Sequence, residues 1–307
     1  MSSNNFFVQK RVLVTGGAGF IGSALVAYLV RQGSSVTVLD NLTTGSMENI
    51  SGVVKDIVFI HGDITNFQTC LAATQTQSIV FHLAAITSVP ETMAQPRICF
   101  NTNVKGTYNM LEAARSNRVE RFMFSSSAAV YGNFEGQCAE NQPCAPQSPY
   151  GLSKFIGEQL CNHYYQIFNL RTLCLRYFNV YDDRPSTSGT TNSGTGVYTL
   201  FKAAIKNNEP ITLFGDGSQS RDFVSVSEIV RANTLLAQLA PQYFDSQPVN
   251  IASGNSRSLN DLVNQLKQEY PESQSTIYYQ PARSGDIKNS AACINKYRQL
   301  QSLLHPS

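Results

Sequence analysis

The feature that most constrains this chain is a glycine-rich turn near its start. Gly16-Gly-Ala-Gly19-Phe-Ile-Gly22 follows an apolar run, Val12–Thr15, and opens a helix-length segment, Ile21–Gln32. Glycines spaced three apart allow a tight turn, close approach of backbone to a diphosphate, and close packing of helix on strand. The helix N-terminus then offers N–H groups and a partial positive charge to the phosphates. Asp40 ends the next apolar run, Val36–Leu39, eighteen residues beyond Gly22, where an acid can hold the ribose hydroxyls of a dinucleotide. Its charge repels a 2′-phosphate, so NAD is expected rather than NADP. A glycine-rich turn without a ligand is the plainer reading; strand, helix and acid in this order argue against it.

The rest of the chain continues the alternation. Ile57–Ile60, Ile79–His82, Phe122–Phe124 and Thr172–Leu175 read as buried strands, and Phe67–Thr74, Pro96–Asn117 and Tyr150–Phe168 as helices. Strands alternating with helices predict an α/β fold, a Rossmann-type doubly wound parallel sheet covered on both faces. After Asn179 the texture changes. Pro185–Gly196 reads as a loop, followed by a helix (Val197–Asn207), a short strand (Ile211–Phe214) and a Gly-Asp-Gly turn before Arg221–Ser225. Ser227 is expected to cap a helix running to Leu239, Pro248–Ile251 to form a strand, and Ser258 or Asn260 to cap a helix to Glu269. The expected division is a dinucleotide-binding domain over 1–179, rejoined by about 225–251, and a smaller C-terminal lobe, mainly 180–307, for the substrate.

Composition narrows the function classes. The net charge of +2 is too small to point to nucleic acid or an anionic membrane as partner. Met1–Lys10 has no signal-peptide hydrophobic stretch and no segment is long and apolar enough to span a bilayer, so a cytoplasmic enzyme is expected. The seven cysteines fit a reducing compartment. Cys138 and Cys144 share a polar stretch and could pair or bind metal, but nothing completes a zinc pattern, so no metal is expected. His61 and His82 close strand-like runs and read as strand-end residues. Leu300, Leu303 and Leu304, near Ser307, are expected to be exposed if the lobe ends there.

Tyr150-Gly-Leu-Ser-Lys154 places a phenol and an ammonium four residues apart, on one face of a helix. Ser125-Ser-Ser127 ends the fifth strand, at the edge where a nicotinamide would lie. A free phenol, with a pKa of about 10, is a poor base at neutral pH; lowering it by about 3 units takes about 4 kcal/mol. A lysine and an oxidised nicotinamide could supply that between them. Tyr150 could then take a proton from a sugar hydroxyl while hydride leaves the same carbon, with Ser127 bonded to the oxygen. A tyrosine and lysine at this spacing are more often a solvated helix face; their place after the fifth strand of a dinucleotide fold changes that.

With these residues in hand, the chain resembles the extended short-chain dehydrogenase/reductases, specifically the nucleotide-sugar 4-epimerases, from about residue 11 to 297. The likeness rests on Gly16–Gly22, Leu39-Asp-Asn41, Gly62-Asp-Ile64, His82-Leu-Ala-Ala85, Asn103-Val-Lys-Gly106, Ser125–Gly132, Ser148–Lys154, Arg176-Tyr-Phe-Asn-Val180, Gly215-Asp-Gly217, Arg221-Asp-Phe223 and Arg283-Ser-Gly-Asp286. The resemblance implies a tightly held NAD, Tyr150 as base, Lys154 on the nicotinamide ribose and Ser127 as third catalytic partner. It also implies a cofactor site built from Gly16, Gly19, Phe20, Ile21, Gly22, Asp40, Asn41, Asp63, Ile64, Leu83, Ala84, Ala85, Asn103, Ser125, Tyr150, Lys154 and Tyr177. Asn179, Arg221, Arg283 and Asp286 are then expected to hold the nucleoside diphosphate, as arginines and an amide suit a pyrophosphate.

Two positions sharpen the expected reaction. Dehydratases of this family carry an Asp-Glu pair just after the catalytic Ser/Thr; here those positions are Ala128 and Ala129, which cannot eliminate water. Return of hydride to the other face of a 4-keto sugar remains, which is 4-epimerisation. At Ser290, epimerases restricted to plain hexoses resemble one another in carrying a Tyr. A serine leaves room for a 2-acetamido group, so UDP-GlcNAc/UDP-GalNAc are the expected substrates, alongside UDP-Glc/UDP-Gal; Ser290 as an ordinary loop residue is the bland alternative. A uronate 4-epimerase, a keto-sugar reductase and a non-catalytic NAD-binding regulator are the rivals. Tyr181-Asp-Asp-Arg-Pro185 departs from the family, which has a glycine after the tyrosine. The helices Pro96–Asn117 and Tyr150–Phe168 resemble those of a four-helix dimer interface, with Met110, Leu111, Leu160, Tyr164 and Tyr165 as candidate contacts, so a homodimer is expected.

Overall fold

The computed structural model describes residues 6–134, 136–184, 196–282 and 290–304. In chain order the strands are β1 (Arg11–Thr15), β2 (Ser35–Asp40), β3 (Ile57–His61), β4 (Ile79–His82), β5 (Arg121–Ser127), β6 (Gln137–Cys138), β7 (Thr172–Tyr177), β8 (Asn179–Tyr181), β9 (Ile211–Phe214), β10 (Ser220–Ser225), β11 (Val249–Ile251), β12 (Ser256–Ser258), β13 (Ile277–Gln280) and β14 (Ala291–Ala292). The helices are α1 (Phe20–Arg31), α2 (Phe67–Ala73), α3 (Val89–Ala94), α4 (Pro96–Cys99), α5 (Gly106–Ser116), α6 (Pro149–Phe168), α7 (Val197–Lys206), α8 (Val226–Leu236), α9 (Leu259–Glu269) and α10 (Asn295–Ser302).

Seven strands form one parallel sheet in the order β11-β7-β5-β4-β1-β2-β3. Most of the runs read as buried strands fill its centre, and Val12, Val14, Ile79, Phe81, Phe122 and Leu173 are fully buried. Ile57–Ile60 departs from that expectation, because β3 ends the sheet with no neighbour beyond it among the described residues and is only partly buried, Val58 being 61 % exposed. Continuous apolar runs are what a sheet covered on both faces demands. One face packs with α1 and α8 around Leu25, Leu29 and Leu236; the other packs with α2, α5 and α6 around Met110, Leu111 and Cys161. Strand β11 reaches the sheet edge from far along the chain, pairing Val249 with Leu175.

A second core lies between α7, α9, β9 and β10, built on Phe201, Ile205, Leu213, Phe223 and Leu262. Beside it stand a three-stranded sheet, β12-β10-β8, and the pairs β13-β9 and β14-β6.

Several sequence expectations shift. Pro96–Asn117 is not one uniform helix: α4 passes through a π-helical segment, Phe100–Lys105, into α5. Ser225, not Ser227, caps α8, accepting from Glu228 N. Ser227 lies inside the helix and its hydroxyl bonds Asp183 instead, at 2.9 Å. Ser258 is the cap of α9. Met110, Leu111 and Tyr164 face the core rather than solvent, and Leu300 is buried while Leu303 is exposed. Cys138 and Cys144 are free thiols, as are the other five cysteines.

Candidate active site

The C-terminal ends of the parallel strands open into one cavity of about 740 Å³. Its floor is the glycine-rich turn. Gly16 has φ +68°, and a Cβ there would come within 2.8 Å of Ala84 N. That backbone contact lets the turn and the loop after β4 lie against each other, and only glycine permits it. Helix α1 begins beyond Gly19 with no side-chain cap from the described residues, whereas α6, α8 and α9 are each capped by a serine. Its first residues, Phe20, Ile21 and Gly22, line the cavity, and the N-terminal turn of a helix suits a phosphate.

Asp40 is 8 % exposed and lines the same space. Its carboxylate accepts from Ala18 N at 2.9 Å and Leu42 N at 2.8 Å, so it also shapes the turn it faces. Asp63 accepts from Thr65 N at 2.7 Å and Asn41 Nδ2 at 2.9 Å. Burial works against its ionisation, but these hydrogen bonds win and hold its pKa below the usual carboxylate value.

The catalytic candidates stand on the opposite wall. Ser148 caps α6 through Gly151 N at 3.1 Å, and Pro149 fixes the first turn. The next residue is Tyr150, and Lys154 follows one turn on. A Cβ at Gly157 would collide with the Phe124 ring, so its absence lets α6 lie close on β5. Lys154 is 4 % exposed. Its Nζ donates to Ser125 O at 2.8 Å and lies 5.9 Å from the centre of the Tyr150 ring. Burial pushes the ammonium down to about 8. Burial likewise pushes the Tyr150 phenol above its ordinary value, and a hydrogen bond with Ser127 only partly offsets this. The lowered phenol expected from the sequence is therefore not a property of the protein groups alone.

Every expected cofactor residue from Gly16 to Tyr177 lines the cavity except Asn103, and Ser127 lines it too. Asn103 is 2 % exposed and stands behind the wall. The π-helical segment turns its amide onto Ile86 N (2.8 Å), Ile86 O (2.9 Å) and Ser153 Oγ (3.0 Å). Asn179, Arg221 and Ser290 meet around β10 rather than in the cavity wall. Asn179 Nδ2 donates to Asp222 O at 3.0 Å, Arg221 bonds Ser220 O at 2.8 Å, and Ser290 N donates to the same Ser220 carbonyl at 3.1 Å. Arg283 and Asp286 lie outside the described residues.

Other residues at the site were missed. Thr87, Ser88 and Glu91 line the cavity after β4; Ser88 capping through Glu91 N, with a proline between, was a legible signal. The buried pair Glu158–Arg176 (2.8 Å) ties α6 to β7, and Ser126 donates to Glu158 at 2.5 Å. Among the described residues no group of three or more potential ligands could hold a metal ion, and no helix is long and apolar enough to cross a membrane.

Similarity to known proteins agrees with this geometry. Residues 12–252 match the model of the NAD dependent epimerase/dehydratase family. A putative UDP-glucose 4-epimerase of Methanocaldococcus jannaschii is 36% identical over 301 residues, 94% of this chain and 92% of that one. The UDP-glucose 4-epimerase of Thermotoga maritima, solved with UDP-glucose, has a TM-score of 0.85 at 32% identity, covering 94% of this chain and 91% of that one. A UDP-N-acetylglucosamine 4-epimerase from Methanobrevibacter ruminantium, in complex with UDP-N-acetylmuramic acid, gives 0.82 at 31%, covering 97% of each. An uncapped helix over a glycine turn, an acid at the second strand and a tyrosine–lysine helix opposite thus occur in a chain whose relatives include epimerases, and the protein belongs to the NAD dependent epimerase/dehydratase family.

Proposed function

We propose that the protein is a UDP-sugar 4-epimerase, acting on UDP-GlcNAc/UDP-GalNAc and also on UDP-Glc/UDP-Gal. The observation that carries this is the convergence of Ser127, Tyr150 and Lys154 on the cavity opposite the dinucleotide cradle, with Ala128 and Ala129 beside them. The two alanines offer no acid or base for elimination. The Thermotoga and Methanobrevibacter enzymes, with UDP-glucose and a UDP-N-acetyl sugar bound, support the substrate class.

NAD supplies the hydride acceptor and a pyridinium charge that favours phenolate. Tyr150 then takes the proton of the sugar 4-hydroxyl, and Ser127 Oγ hydrogen-bonds that oxygen as charge develops. Lys154, whose Nζ donates to Ser125 O, is assigned to the nicotinamide ribose. When the 4-keto sugar has turned over, C4 regains its hydride on the opposite face and Tyr150 returns the proton to O4. Asn179 and Arg221, beside β10, are assigned to the diphosphate together with Arg283 and Asp286, all four by their motifs. Ser290 is assigned to the sugar's 2-substituent. The domain roles follow: the seven-stranded sheet holds NAD and the lobe around β10 holds the UDP-sugar.

Product analysis by NMR tests the reading. Conversion of UDP-GlcNAc to UDP-GalNAc without added cofactor is expected; a 4-keto-6-deoxy product, or a stoichiometric need for NAD(P)H, overturns it. Ser290→Tyr is expected to lower the ratio of acetylated to plain-hexose activity, and an unchanged ratio removes Ser290 from the argument. Seven free cysteines suit a cytoplasmic setting. The exposed apolar side chains Ile98, Phe100, Tyr108, Leu152 and Phe168, on α4 to α6, support a homodimer.

A further inference from the structure

His82 ends β4 and is 1 % exposed. Its ring packs against Phe122 and Phe124, with centroids 5.7 and 6.0 Å away. Both nitrogens are engaged: Nδ1 lies 2.7 Å from Thr15 Oγ1, and Nε2 lies 3.0 Å from Thr107 Oγ1. The proton positions follow from the acceptors. Thr107 Oγ1 donates its one proton to Asn103 O at 2.6 Å, since a carbonyl can only accept. Toward the imidazole it must therefore accept, which places the ring proton on Nε2. Burial, and then the Lys154 charge, push the imidazolium down to about 3, so the ring is neutral and Nδ1 is an acceptor. Thr15 Oγ1 then donates to Nδ1 while accepting from Ala84 N at 3.2 Å.

The chain of bonds continues in one direction only. Asn103 Nδ2 donates to Ser153 Oγ at 3.0 Å, and Ser153 Oγ donates to Tyr150 O at 2.7 Å. The His82 carbonyl also accepts from Ser125 Oγ at 3.0 Å, and Ser125 O accepts from Lys154. One buried imidazole thus links the end of β1, the Leu83–Ile86 loop and the helix that carries Tyr150 and Lys154. Each polar atom on the path has its role fixed by its neighbour.

We propose that His82 is a positioning residue for hydride transfer: as the neutral Nε2–H tautomer it holds the cofactor-facing loop after β4 in fixed register with the catalytic helix. This rests on Tyr150 as base and NAD in the cavity. The imidazole touches neither substrate nor cofactor. Its loss should let the two walls shift by fractions of an ångström, which slows the chemical step more than it weakens binding.

The test is single-turnover reduction of bound NAD by UDP-hexose, followed at the nicotinamide absorbance, with NAD content and KM measured on the same preparations. His82→Phe keeps the volume and removes both bonds. It is expected to retain stoichiometric NAD and a KM within about threefold of wild type, with the reduction rate down about ten- to a hundredfold. His82→Gln, which keeps a donor toward Thr107, should recover much of the rate. Thr107→Val interrupts the same path with the ring in place, and the double variant should be no slower than His82→Phe alone, because both act through one chain of bonds. Should His82→Phe not fold, Thr107→Val carries the test by itself. A wild-type rate in these variants, additive losses, or losses that only track missing NAD overturn the proposal. Wild-type protein that holds NAD and yet accepts hydride from no UDP-hexose sinks the epimerase reading as well, whereas a working wild type matched by His82→Phe sinks this inference alone.

Discussion

Lys154 holds its proton at a cost. Its ordinary pKa of 10.5 is pushed down to about 8 by burial. Below pH 8 folded and unfolded chains both carry the proton, and the folded state bears the whole burial penalty. Above 10.5 neither carries it and the penalty is gone. Between these values the unfolded chain binds more protons, so stability rises with pH. The penalty is on the order of 3 kcal/mol, less about 1 kcal/mol for the bond to Ser125 O. Nucleotide-free Lys154→Met should therefore be more stable than wild type by about 2 kcal/mol at pH 7, with the gap closing by pH 10.5. Urea unfolding at the two pH values checks this; a gap that is constant or widens with pH contradicts it. A charge kept at such cost is the kind of group a site retains for chemistry. At this scale the sequence was informative where a motif fixes both residue and neighbour, as with Tyr150, Lys154 and Asp40. It assigned Asn103 to the cofactor site, but nothing in its motif tells whether the amide lines the cavity or lies behind the wall, where it is found.

At the scale of elements, closeness of α6 to β5 is set by one missing side chain. Gly157 faces the Phe124 ring, so Gly157→Val must push the helix outward and stretch the Lys154–Ser125 bond. Overpacking of this kind costs about 1–3 kcal/mol. The variant should lose that much stability by thermal or chemical unfolding and lose activity by more than its unfolded fraction explains; wild-type activity in a folded Gly157→Val would show that the spacing is not critical. The long elements were legible because two-sided burial writes continuous apolar runs, and Ile79–His82 and Ile211–Phe214 fall where they were expected. Strands of two or three residues, such as β6, β12 and β14, leave no period to read. The π-helical segment was hidden for another reason: shifting hydrogen bonds by one residue changes which side chains face inward, not which residues occur. The same ambiguity moved the α8 cap from Ser227 to Ser225, since both serines precede the same apolar face.

For the whole molecule, the outward face of α4 to α6 is the surface to watch. Leu152 is 48 % exposed, as is Tyr108, while Met110 and Leu111, which the sequence pattern offers as contacts there, are fully buried. If two copies pack there, Leu152→Glu with Tyr108→Glu should convert a dimer into a monomer in analytical ultracentrifugation, with NAD still bound. A wild-type monomer at micromolar concentration would remove the dimer from the proposal. Tyr108 also meets the buried Tyr164 edge-on, with centroids 6.3 Å apart, so thermal unfolding of the variant is measured alongside, and a folded monomer is the expected outcome.

The late arrival of β11 has a consequence for how the molecule is made. A nascent chain that has just delivered Tyr177 owns six of the seven strands, but its last strand presents bare N–H and C=O groups to solvent. That edge also carries Tyr177, part of the cavity wall. Only after α7 and α8 have been synthesised can Val249–Ile251 cover it. The binding site therefore cannot finish forming ahead of the lobe that follows it, and the unfinished half is the stage at which a chaperone, or another open strand, would find the chain.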